Sequence, residues 1–386
     1  MHIAVNGWFW HQAHTGSGQY VRRLAHTLSA LRIDVELTVL LASGSNPDQE
    51  RIAPNLSLLH YPMRKGPLGK VRWEQLVVPR LAREIDADLL HVPYWAPPMR
   101  TSLPTVVTIH DLIPLLLPDY RGDARVRMYT ALVKAASASS DLVLTDSYAA
   151  RNDILAHLSV DADRVRVVHL AVDRAYTPRP SPNDERILDR WQLSQPYILY
   201  LGGFDVRKNI KTAIQAFTRV SEAVESVTFV IAGKLPGVEN RLFADPRKQA
   251  ARAGISQDRI KFLGYVEETA KPALYRGARV FVFPSTYEGF GLPPLEALSC
   301  GVPVVGGDLS SLPEVVGRAG ILLPPDDADG IAGAIIQLLI DDDAVNALKQ
   351  EAREQARRFS WEATARQTWD AYRTVLDCEN PDPVLT

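Results

Sequence analysis

The segment FPSTYEGFGLPPLEA, residues 283–297, carries the pattern that decides how this chain folds. An apolar strand ends at Pro284, a glycine-rich loop follows, and Pro293 and Pro294 suit the first turn of a helix. Glycine lets the backbone approach a ligand without a Cβ in the way, and the free N–H groups of a helix start attract phosphate. The segment therefore predicts a strand, a loop and a helix with an anion-binding site at the helix start.

Two carboxylates flank this helix start. Glu288 stands on the loop, and Glu296 is expected near the first turn of the helix. Carboxylates accept hydrogen bonds from the hydroxyls of a sugar or a ribose. Acids near a helix start also complement the helix dipole, so Glu296 has a purely structural explanation. Glu288 has no such explanation and is the stronger functional candidate.

Outward from this segment, apolar strands alternate with amphipathic helices, which is typical of parallel sheets covered by crossover helices. The predicted strands are 3–6, 35–41, 89–92, 105–109, 142–145, 165–169, 197–201, 227–232, 260–262, 280–283 and 302–304. The predicted helices are 18–31, 75–85, 124–138, 210–223, 269–277, 293–299 and 360–376. The fold class is therefore α/β.

The α/β pattern is interrupted once, at YTPRPSPN, residues 176–183. Alternate prolines favour an extended, semi-rigid linker. We therefore expect an N-terminal Rossmann-like domain over 1–178 and a C-terminal one over 179–361, with a C-terminal helix, about 362–378, packing back on the first. Ligands of such sheets bind beyond the carboxyl ends of the strands, so a cleft between the two domains is the expected site.

Composition agrees with a two-domain enzyme and excludes several other classes. The chain has 386 residues, 43 Lys and Arg against 45 Asp and Glu, and a net charge of -2, so no overall positive field favours nucleic acid. Two cysteines give no disulfide framework and favour a reducing cytosol. No apolar run approaches the roughly 18 residues of a membrane span. The predicted location is cytoplasmic, with peripheral binding at the inner membrane face as the alternative.

Two further loops have the chemistry of anion sites. Arg207 and Lys208 follow the predicted strand 197–201, and two adjacent cations there favour an anionic ligand. The loop at Gly16 opens a helix and presents backbone N–H groups. It is not a dinucleotide fingerprint, because Val21 replaces the third glycine and the loop does not follow the strand directly.

These motifs resemble those of a known family. Residues 284–305 follow the pattern PSxxEGFGLPPLEALxxGxPVV, in which Glu288 and Glu296 form Glu-x7-Glu. Other landmarks stand in the same order: TIHD at 108–111, GGFDVRKN at 202–209, FLGYV at 262–266 and SLPEVVG at 311–317. Over essentially its whole length the chain resembles the retaining nucleotide-sugar glycosyltransferases of family 4, which have the GT-B fold of two facing Rossmann-like domains.

The resemblance implies a role for each matching residue. Glu288 would hold hydroxyls of the transferred sugar, Arg207 and Lys208 would neutralise the diphosphate leaving group, and His110 would contact the sugar. The implied donor-binding residues are Gly16, Ser17, Gly18, Val266, Gly289, Phe290, Gly291, Leu292 and Glu296. Many relatives have Gly-Gly where this chain has Gly16 and Ser17, which is a departure from the pattern.

The resemblance also implies a reaction. A sugar would be transferred with retention, by attack on the same face from which the diphosphate leaves, and a donor phosphate oxygen would take the acceptor's proton. The co-substrate is a GDP- or UDP-hexose, no cofactor is tightly bound, no metal site is predicted, and a divalent metal is not essential. GGFDVRKN and HDL look like the motifs of bacterial polysaccharide mannosyltransferases, which favours GDP-mannose, although enzymes using UDP-glucose share them.

Two other functions share these motifs. A phosphorylase of similar fold would use phosphate as acceptor, and a catalytically silent subunit would only bind the nucleotide sugar. For a transferase, the acceptor is expected to be a glycan or a lipid-linked sugar. Residues 64–73, RKGPLGKVRW, mix four cations with apolar side chains. Such a segment either rests on anionic lipid or forms a solvated loop.

Overall fold

The computed structural model describes residues 1–12, 15–31, 34–43, 48–63, 66–193 and 196–379. The chain forms two compact units. The first contains residues 1–170 and the segment from residue 360 onward, and the second contains residues 171–359.

The first unit is built on an eight-stranded sheet. Its strands are β1 (His2–Asn6), β2 (Glu36–Ser43), β3 (Asp48–Ala53), β4 (Leu56–Pro62), β5 (Leu89–Val92), β6 (Thr105–Thr108), β7 (Leu142–Thr145) and β8 (Val165–Val167). Their order is β3-β4-β2-β1-β5-β6-β7-β8, and only β3 pairs in the antiparallel direction. The chain order reverses between β1 and β5, which makes their carboxyl ends the topological switch point of this sheet.

The α-helices described in the first unit before residue 170 are α1 (Gly16–Ala30), α2 (Pro67–Arg72), α3 (Val78–Glu84), α4 (Ile113–Leu116), α5 (Ala124–Ser137) and α6 (Tyr148–His157). A π-helical turn, Trp73–Val77, joins α2 to α3. Helix α1 buries Tyr20, Val21, Leu24 and Leu28, whose spacing of three and four residues forms one apolar face.

The second unit contains a six-stranded, wholly parallel sheet. Its strands are β9 (Tyr197–Leu201), β10 (Thr228–Ala232), β11 (Ile260–Gly264), β12 (Ala278–Phe283), β13 (Val304–Gly307) and β14 (Gly320–Leu323). Their order, β11-β10-β9-β12-β13-β14, is that of a Rossmann sheet, with its switch point between β9 and β12.

Helices cover both faces of this sheet: α7 (Asp184–Asp189), α8 (Ile210–Ala223), α9 (Pro246–Arg252), α10 (Lys271–Gly277), α11 (Leu292–Ser299), α12 (Leu312–Val316), α13 (Ala328–Ile340) and α14 (Asp342–Ala356). Phe217 and Phe229 lie in the core on one face, and Tyr275 and Phe281 lie in the core on the other. The central strands β9 and β13 are buried along their whole length and are apolar throughout, whereas the edge strand β11 is partly buried and carries Lys261.

A last helix, α15 (Trp361–Glu379), belongs to the first unit. The Tyr372 hydroxyl lies 2.7 Å from His91 Nδ1 inside this unit. Thr364 Oγ1 donates to the His169 carbonyl at 2.7 Å. The helix also packs against α1, where the rings of Tyr20 and Trp361 are 6.4 Å apart.

The predicted domain boundary at residue 178 falls inside the second unit. The proline-rich segment packs on that unit instead of standing free: Arg276 donates to the Thr177 carbonyl at 3.2 Å, and the ring of Tyr176 packs against Tyr275 at 6.0 Å. The division lies between Leu170 and Ala171. Among the described helices, none is both long enough and apolar enough to cross a bilayer.

Candidate functional site

The loops that follow β9 and β12 meet at the switch point of the second sheet. The first forms a 3₁₀ turn, Val206–Lys208, and the second is the glycine-rich loop 284–291. Thr286 donates its backbone N–H to the Arg207 carbonyl at 2.8 Å, and Ser285 Oγ lies 3.1 Å from the same carbonyl. The two sequence motifs are therefore joined by backbone, in addition to their side chains.

Glu288 lies at the centre of this site. Its Oε1 is 2.6 Å from Lys208 Nζ, and its Oε2 is 3.0 Å from Arg207 Nη1. Ser285 Oγ donates to Oε1 at 2.6 Å. The structure thus brings together three of the residues that the sequence predicts as catalytic. The anion that joins the two cations here is Glu288 itself.

Burial strengthens the electrostatic interactions between these charged groups. Glu288 is 7% exposed and Lys208 8% exposed. Burial alone would raise the pKa of Glu288, but the Lys208 and Arg207 cations outweigh it and hold the pKa below its ordinary value. Glu288 is therefore an ionised carboxylate held between two cations.

A second carboxylate completes the charge balance. Asp205 Oδ1 lies 2.9 Å from Arg207 Nε, so that Arg207 is held on both sides. The ammonium of Lys208 lies 4.9 Å from the centre of the Phe283 ring, at the end of β12. These contacts fix the direction of both cations, which is the condition for stabilising a charge that develops at one point.

Two serines from the loop after β13 hold the glycine-rich segment in shape. Ser310 Oγ accepts the Glu288 N–H at 2.8 Å, and Ser311 Oγ donates to the Phe290 carbonyl at 2.6 Å. Gly291 then takes φ of 108°, where an L side chain is strained, and α11 begins at Leu292. The structure thus places Gly289, Phe290, Gly291 and Leu292 on one continuous turn into the helix.

Glu296 is the fifth residue of α11, close to the first turn as predicted but just beyond it. It is 7% exposed, and Tyr275 donates to its Oε2 at 2.8 Å. Burial raises the pKa of Glu296 above its ordinary value, although Lys271 and Tyr275 act in the opposite direction. The helix-dipole explanation is therefore weaker than it seems from sequence, because the dipole effect is confined to the first turn.

Val266 follows β11, as expected, but its side chain is 4% exposed and belongs to the core. The neighbouring Tyr265 is 59% exposed. Of these two residues, only Tyr265 therefore offers a side chain to a ligand.

His110 lies in the first unit, two residues after the end of β6. Its Nδ1 is 2.7 Å from Asp146 Oδ2, and its Nε2 is 3.3 Å from the Pro93 carbonyl. Burial would lower the pKa of His110, but the Asp146 carboxylate outweighs it and the pKa is raised. Because both ring nitrogens face acceptors, the geometry favours the doubly protonated ring.

The glycine loop of the first unit begins α1. Thr15 caps the helix, and its Oγ1 accepts the Gly18 N–H at 3.1 Å. One of the amides expected to be free for an anion is therefore used within the chain. A Cβ at Gly18 would meet the backbone of Gln12, whereas nothing lies within 4 Å of a Cβ at Gly16.

Sequence reasoning missed the residues that hold the candidate side chains in place. These are Asp205, Ser285, Ser310 and Ser311 in the second unit and Asp146 in the first. Asp205, Ser285 and Ser311 lie within the motifs that begin at residues 202, 284 and 311 and could have been found there, whereas Ser310 and Asp146 lie outside those motifs. In the part of the chain that the structure describes, no group of three or more His, Cys, Asp and Glu side chains could hold a metal ion.

Comparison with known proteins connects this geometry to a family. Residues 14–176 match the model described as Glycosyltransferase Family 4, and residues 184–355 match Glycosyl transferases group 1. Together these two ranges cover most of the chain.

Individual relatives agree. The chain is 35% identical to O-antigen chain mannosyltransferase B of Escherichia coli, over 94% of this chain and 96% of that protein. It is 32% identical to the serotype-specific mannosyltransferase WbdA of Escherichia coli, over 70% of this chain but only 34% of that longer protein.

The fold has solved counterparts. The sucrose-phosphate synthase of Thermosynechococcus elongatus has a TM-score of 0.78 and 22% identity, over 98% of this chain and 100% of that chain. With a nucleotide-binding type of sheet in the second unit, the buried Glu288 cluster at its switch point and both family models matched, the chain belongs to glycosyltransferase family 4 and is a hexosyltransferase of the GT-B fold.

Proposed function

We propose that this enzyme transfers mannose from GDP-mannose, with retention of configuration, to a glycan or lipid-linked acceptor in the synthesis of a cell-surface polysaccharide. The observation that carries the proposal is the ion cluster of Arg207, Lys208 and Glu288 at the switch point between β9 and β12. The choice of mannose is supported by the named mannosyltransferase relatives.

The chemical requirement is to stabilise a diphosphate as it leaves the sugar. Negative charge grows on the phosphate oxygens while the sugar becomes an oxocarbenium-like species. Arg207 and Lys208 are held in fixed directions by Asp205 and Glu288, so they need no reorganisation when the charge develops. The start of α11 adds the backbone N–H of Leu292 to the same task, because Pro293 and Pro294, the next two residues, have no N–H.

Glu288 is proposed to position the sugar and the cations, and not to attack the sugar. Both of its oxygens already contact cations, and Oε1 also accepts from Ser285. A carboxylate stabilised in this way is a weak nucleophile, whereas its remaining lone-pair capacity can accept a sugar hydroxyl. Glu296 is proposed to accept the ribose hydroxyls, and the loop of Tyr265 and Val266 to contact the base.

The first unit is proposed to bind the acceptor and to supply His110, whose role toward the sugar rests on the family resemblance. Gly16 and Ser17 are proposed to contact the diphosphate through the start of α1. We also propose that no divalent metal is required, because the fixed cations supply the positive charge. Undiminished transfer in excess EDTA is the expected result, and loss that Mg²⁺ restores would contradict it.

A donor panel tests the function directly. The purified chain is given GDP-mannose, UDP-glucose and related donors with an α-linked mannotriose acceptor, and free GDP or UDP is measured. We expect turnover with GDP-mannose, and NMR of the product should show retained configuration. Lys208→Met should lower turnover by about 10²–10³-fold, the usual effect of losing one group that stabilises developing charge.

The control is Lys211→Met, an exposed lysine on the same loop–helix connection. Wild-type turnover in Lys208→Met and Glu288→Gln, both shown to be folded, would contradict the proposed site. Turnover with UDP-glucose in place of GDP-mannose would contradict the donor while leaving the site intact.

We further propose that the first unit rests on an anionic membrane. Of the four cations in 64–73, Arg64 and Lys65 lie outside the described residues, Arg72 is exposed, and Lys70 is turned into the unit toward Glu74. The same unit also exposes apolar side chains: Leu68, Leu76 and Met128 are 87%, 65% and 72% exposed. Exposed apolar and basic side chains together suit a lipid surface.

Liposome sedimentation tests membrane binding. The chain should sediment with anionic vesicles, and Leu68→Asp with Met128→Asp should abolish this. The exposed Val238 of the second unit provides the control as Val238→Asp. Equal sedimentation of all three proteins would contradict the proposal.

A further inference from the structure

The first unit has a topological switch point of its own, at the carboxyl ends of β1 and β5. An unusual group of side chains occupies it. Phe9 follows β1, Tyr94 follows β5, and the helical segment that contains Lys70 and Glu74 begins after β4. Ligands of open parallel sheets bind at this edge, so these side chains are candidates for a ligand-binding site.

Lys70 is enclosed by aromatic rings. Its Nζ lies 4.9 Å from the ring centre of Tyr129, 5.4 Å from that of Tyr94 and 5.8 Å from that of Phe9. The same ammonium donates to the Tyr129 hydroxyl at 3.1 Å and lies 3.3 Å from Glu74 Oε1. The Lys70 side chain nevertheless remains 28% exposed, so it is accessible from solvent.

Glu74 is fully buried beside it. Its side chain has no exposed surface, and Tyr129 donates to its Oε2 at 2.9 Å. Burial raises the pKa of Glu74, while Lys70 and the tyrosine hydroxyls act in the opposite direction. A buried carboxylate costs stability, and replacing such a pair with apolar side chains is often neutral or favourable, so stability is a weak reason for its presence.

The backbone is arranged to place these groups. Trp73 and Glu74 lie in the π-helical turn, and such turns occur frequently at functional sites. Asn6, at the end of β1, holds the turn from the sheet side: its Oδ1 accepts from Trp73 Nε1 at 2.9 Å, and its Nδ2 donates to the Tyr94 hydroxyl at 2.9 Å. One residue therefore aligns the sheet, the turn and the rings.

The chemistry selects the class of ligand. An anion is disfavoured by Glu74, and a second cation by the ammonium that already fills the aromatic cage. A neutral polyhydroxylated molecule suits this arrangement, because its hydroxyls can accept from the accessible Lys70 ammonium, which the buried Glu74 carboxylate holds in place. The half-buried rings of Trp8, Phe9 and Tyr129 offer apolar faces for the C–H side of a sugar ring.

We propose that Lys70, Phe9 and Tyr129 form the subsite for the acceptor saccharide, and that the buried Glu74 and Tyr94 position Lys70. Lys70 binds a hydroxyl of the sugar, and the half-buried rings contact its apolar face. The inference rests on the proposed function, because it takes the acceptor to be a glycan. The inference goes beyond that function by naming the residues that recognise the acceptor.

Kinetics on the full chain test the subsite. Lys70→Met and Glu74→Gln should each raise KM for an α-linked mannotriose at least tenfold. KM for GDP-mannose, and the slow release of GDP without acceptor, should stay as in the wild type. The matched control is the exposed pair Arg80 and Glu84 of α3, which has the same spacing of four residues, changed to Met and Gln.

A surface variant guards against misfolding of the buried pair. Phe9→Leu should raise the acceptor KM, and Phe9→Trp should restore it, because only an aromatic ring supplies the face. Saturation-transfer NMR with mannotriose alone should show binding to the wild type and not to Phe9→Leu. An unchanged acceptor KM in folded Lys70→Met and Phe9→Leu, or no mannotriose signal with the wild type, overturns the subsite.

The two proposals fail in different ways. If no donor in the panel is turned over and no nucleotide shifts the melting temperature, the proposed function fails. Mannotriose binding that depends on Phe9 would still support the subsite in that case. If transfer occurs while the acceptor KM ignores these residues, only the subsite fails.

Discussion

Lys208 and Glu288 contact each other, yet their replacement has unequal consequences. Lys208→Met leaves the Glu288 carboxylate paired with Arg207 and bonded to Ser285. Glu288→Gln leaves two cations without the carboxylate that joins them. Removing one partner of a buried pair costs about 3–5 kcal/mol. We expect Glu288→Gln near that range, Lys208→Met below it, and the double variant below the sum of the two.

Urea unfolding of the three variants measures this coupling. The Lys211→Met variant should unfold as the wild type does. Additive losses would show that the two side chains act independently, which would contradict the geometry.

The two glutamates should give stability profiles of opposite sign with pH. Glu288 has its pKa lowered in the folded chain, so it loses its stabilising charge as the pH falls below the ordinary value near 4.5 and through the folded pKa. Glu296 has its pKa raised, so its ionisation costs stability as the pH rises from that value through the folded pKa.

Melting temperatures measured between pH 3 and 7 test these signs. A variant that is unfolded at some of these pH values is measured only at the pH values where it is folded. As the pH rises toward about 4.5, the melting temperature of the wild type should increase relative to that of Glu288→Gln. As the pH rises above that value, the melting temperature of the wild type should decrease relative to that of Glu296→Gln. Parallel curves for the wild type and either variant would contradict the assigned direction for that residue.

At this scale the sequence predicted the charged residues of the second unit but not their partners. Glu288, Arg207 and Lys208 follow strands that are plain in the sequence, so their convergence at one sheet edge could be expected. Their pairing with Asp205 and Ser285 depends on side-chain distances that no spacing encodes. Lys70 shows the same difficulty: the sequence assigns it to a basic surface, whereas Glu74, one helical turn away, draws it inward.

Helix α1 offers an element-scale contrast between two glycines of one turn. A Cβ at Gly18 would clash with the Gln12 carbonyl and lie 2.8 Å from Phe9 O, whereas a Cβ at Gly16 meets nothing. Gly18→Ala should therefore destabilise the first unit by about 1–3 kcal/mol, the usual cost of overpacking.

Gly16→Ala is the matched control and should unfold at nearly the wild-type urea concentration, read by the change in tryptophan fluorescence. Equal stability of the two variants would show that the turn adjusts freely. Gly18 would then be explained by the need for the backbone to approach a ligand closely, and not by packing against Gln12.

Many elements with a clear hydrophobic pattern were predicted, but β4, β14 and α13, which are also largely apolar, were missed. The strands β5, β7 and β9 appear in the structure with the predicted bounds, because each is mostly apolar and buried along its whole length. Strand β3, DQERIA, is a polar edge strand and gives no such pattern. The π-helical turn is invisible for another reason: one extra residue per turn breaks the helical period on which recognition depends.

At the scale of the whole molecule, each unit has its own core, so a ligand of one unit need not stabilise the other. If GDP binds the second unit, it should stabilise that unit by mass action, by about 2.7 kcal/mol at a hundredfold excess over Kd. Limited proteolysis read by mass spectrometry should then show protection concentrated in residues 171–359.

ADP at the same concentration provides the control for general nucleotide effects. Uniform protection of both units by GDP would contradict independent stabilisation.

A two-domain α/β organisation followed from the alternating pattern, but the limits of the units did not. The prolines at 178, 180 and 182 mark a break in the pattern, and only packing shows that this stretch adheres to the second unit.

The first unit is completed only by α15, which the chain reaches after the whole of the second unit. During synthesis, residues 171–359 take roughly 10–40 s to emerge at the usual rates of translation. Throughout that time the face of α1 that α15 covers, and the His91 imidazole that Tyr372 contacts, have no partner from that helix. The second unit is contiguous and is finished first. The first unit is therefore the later of the two to be completed, although most of its residues are synthesised before the second unit.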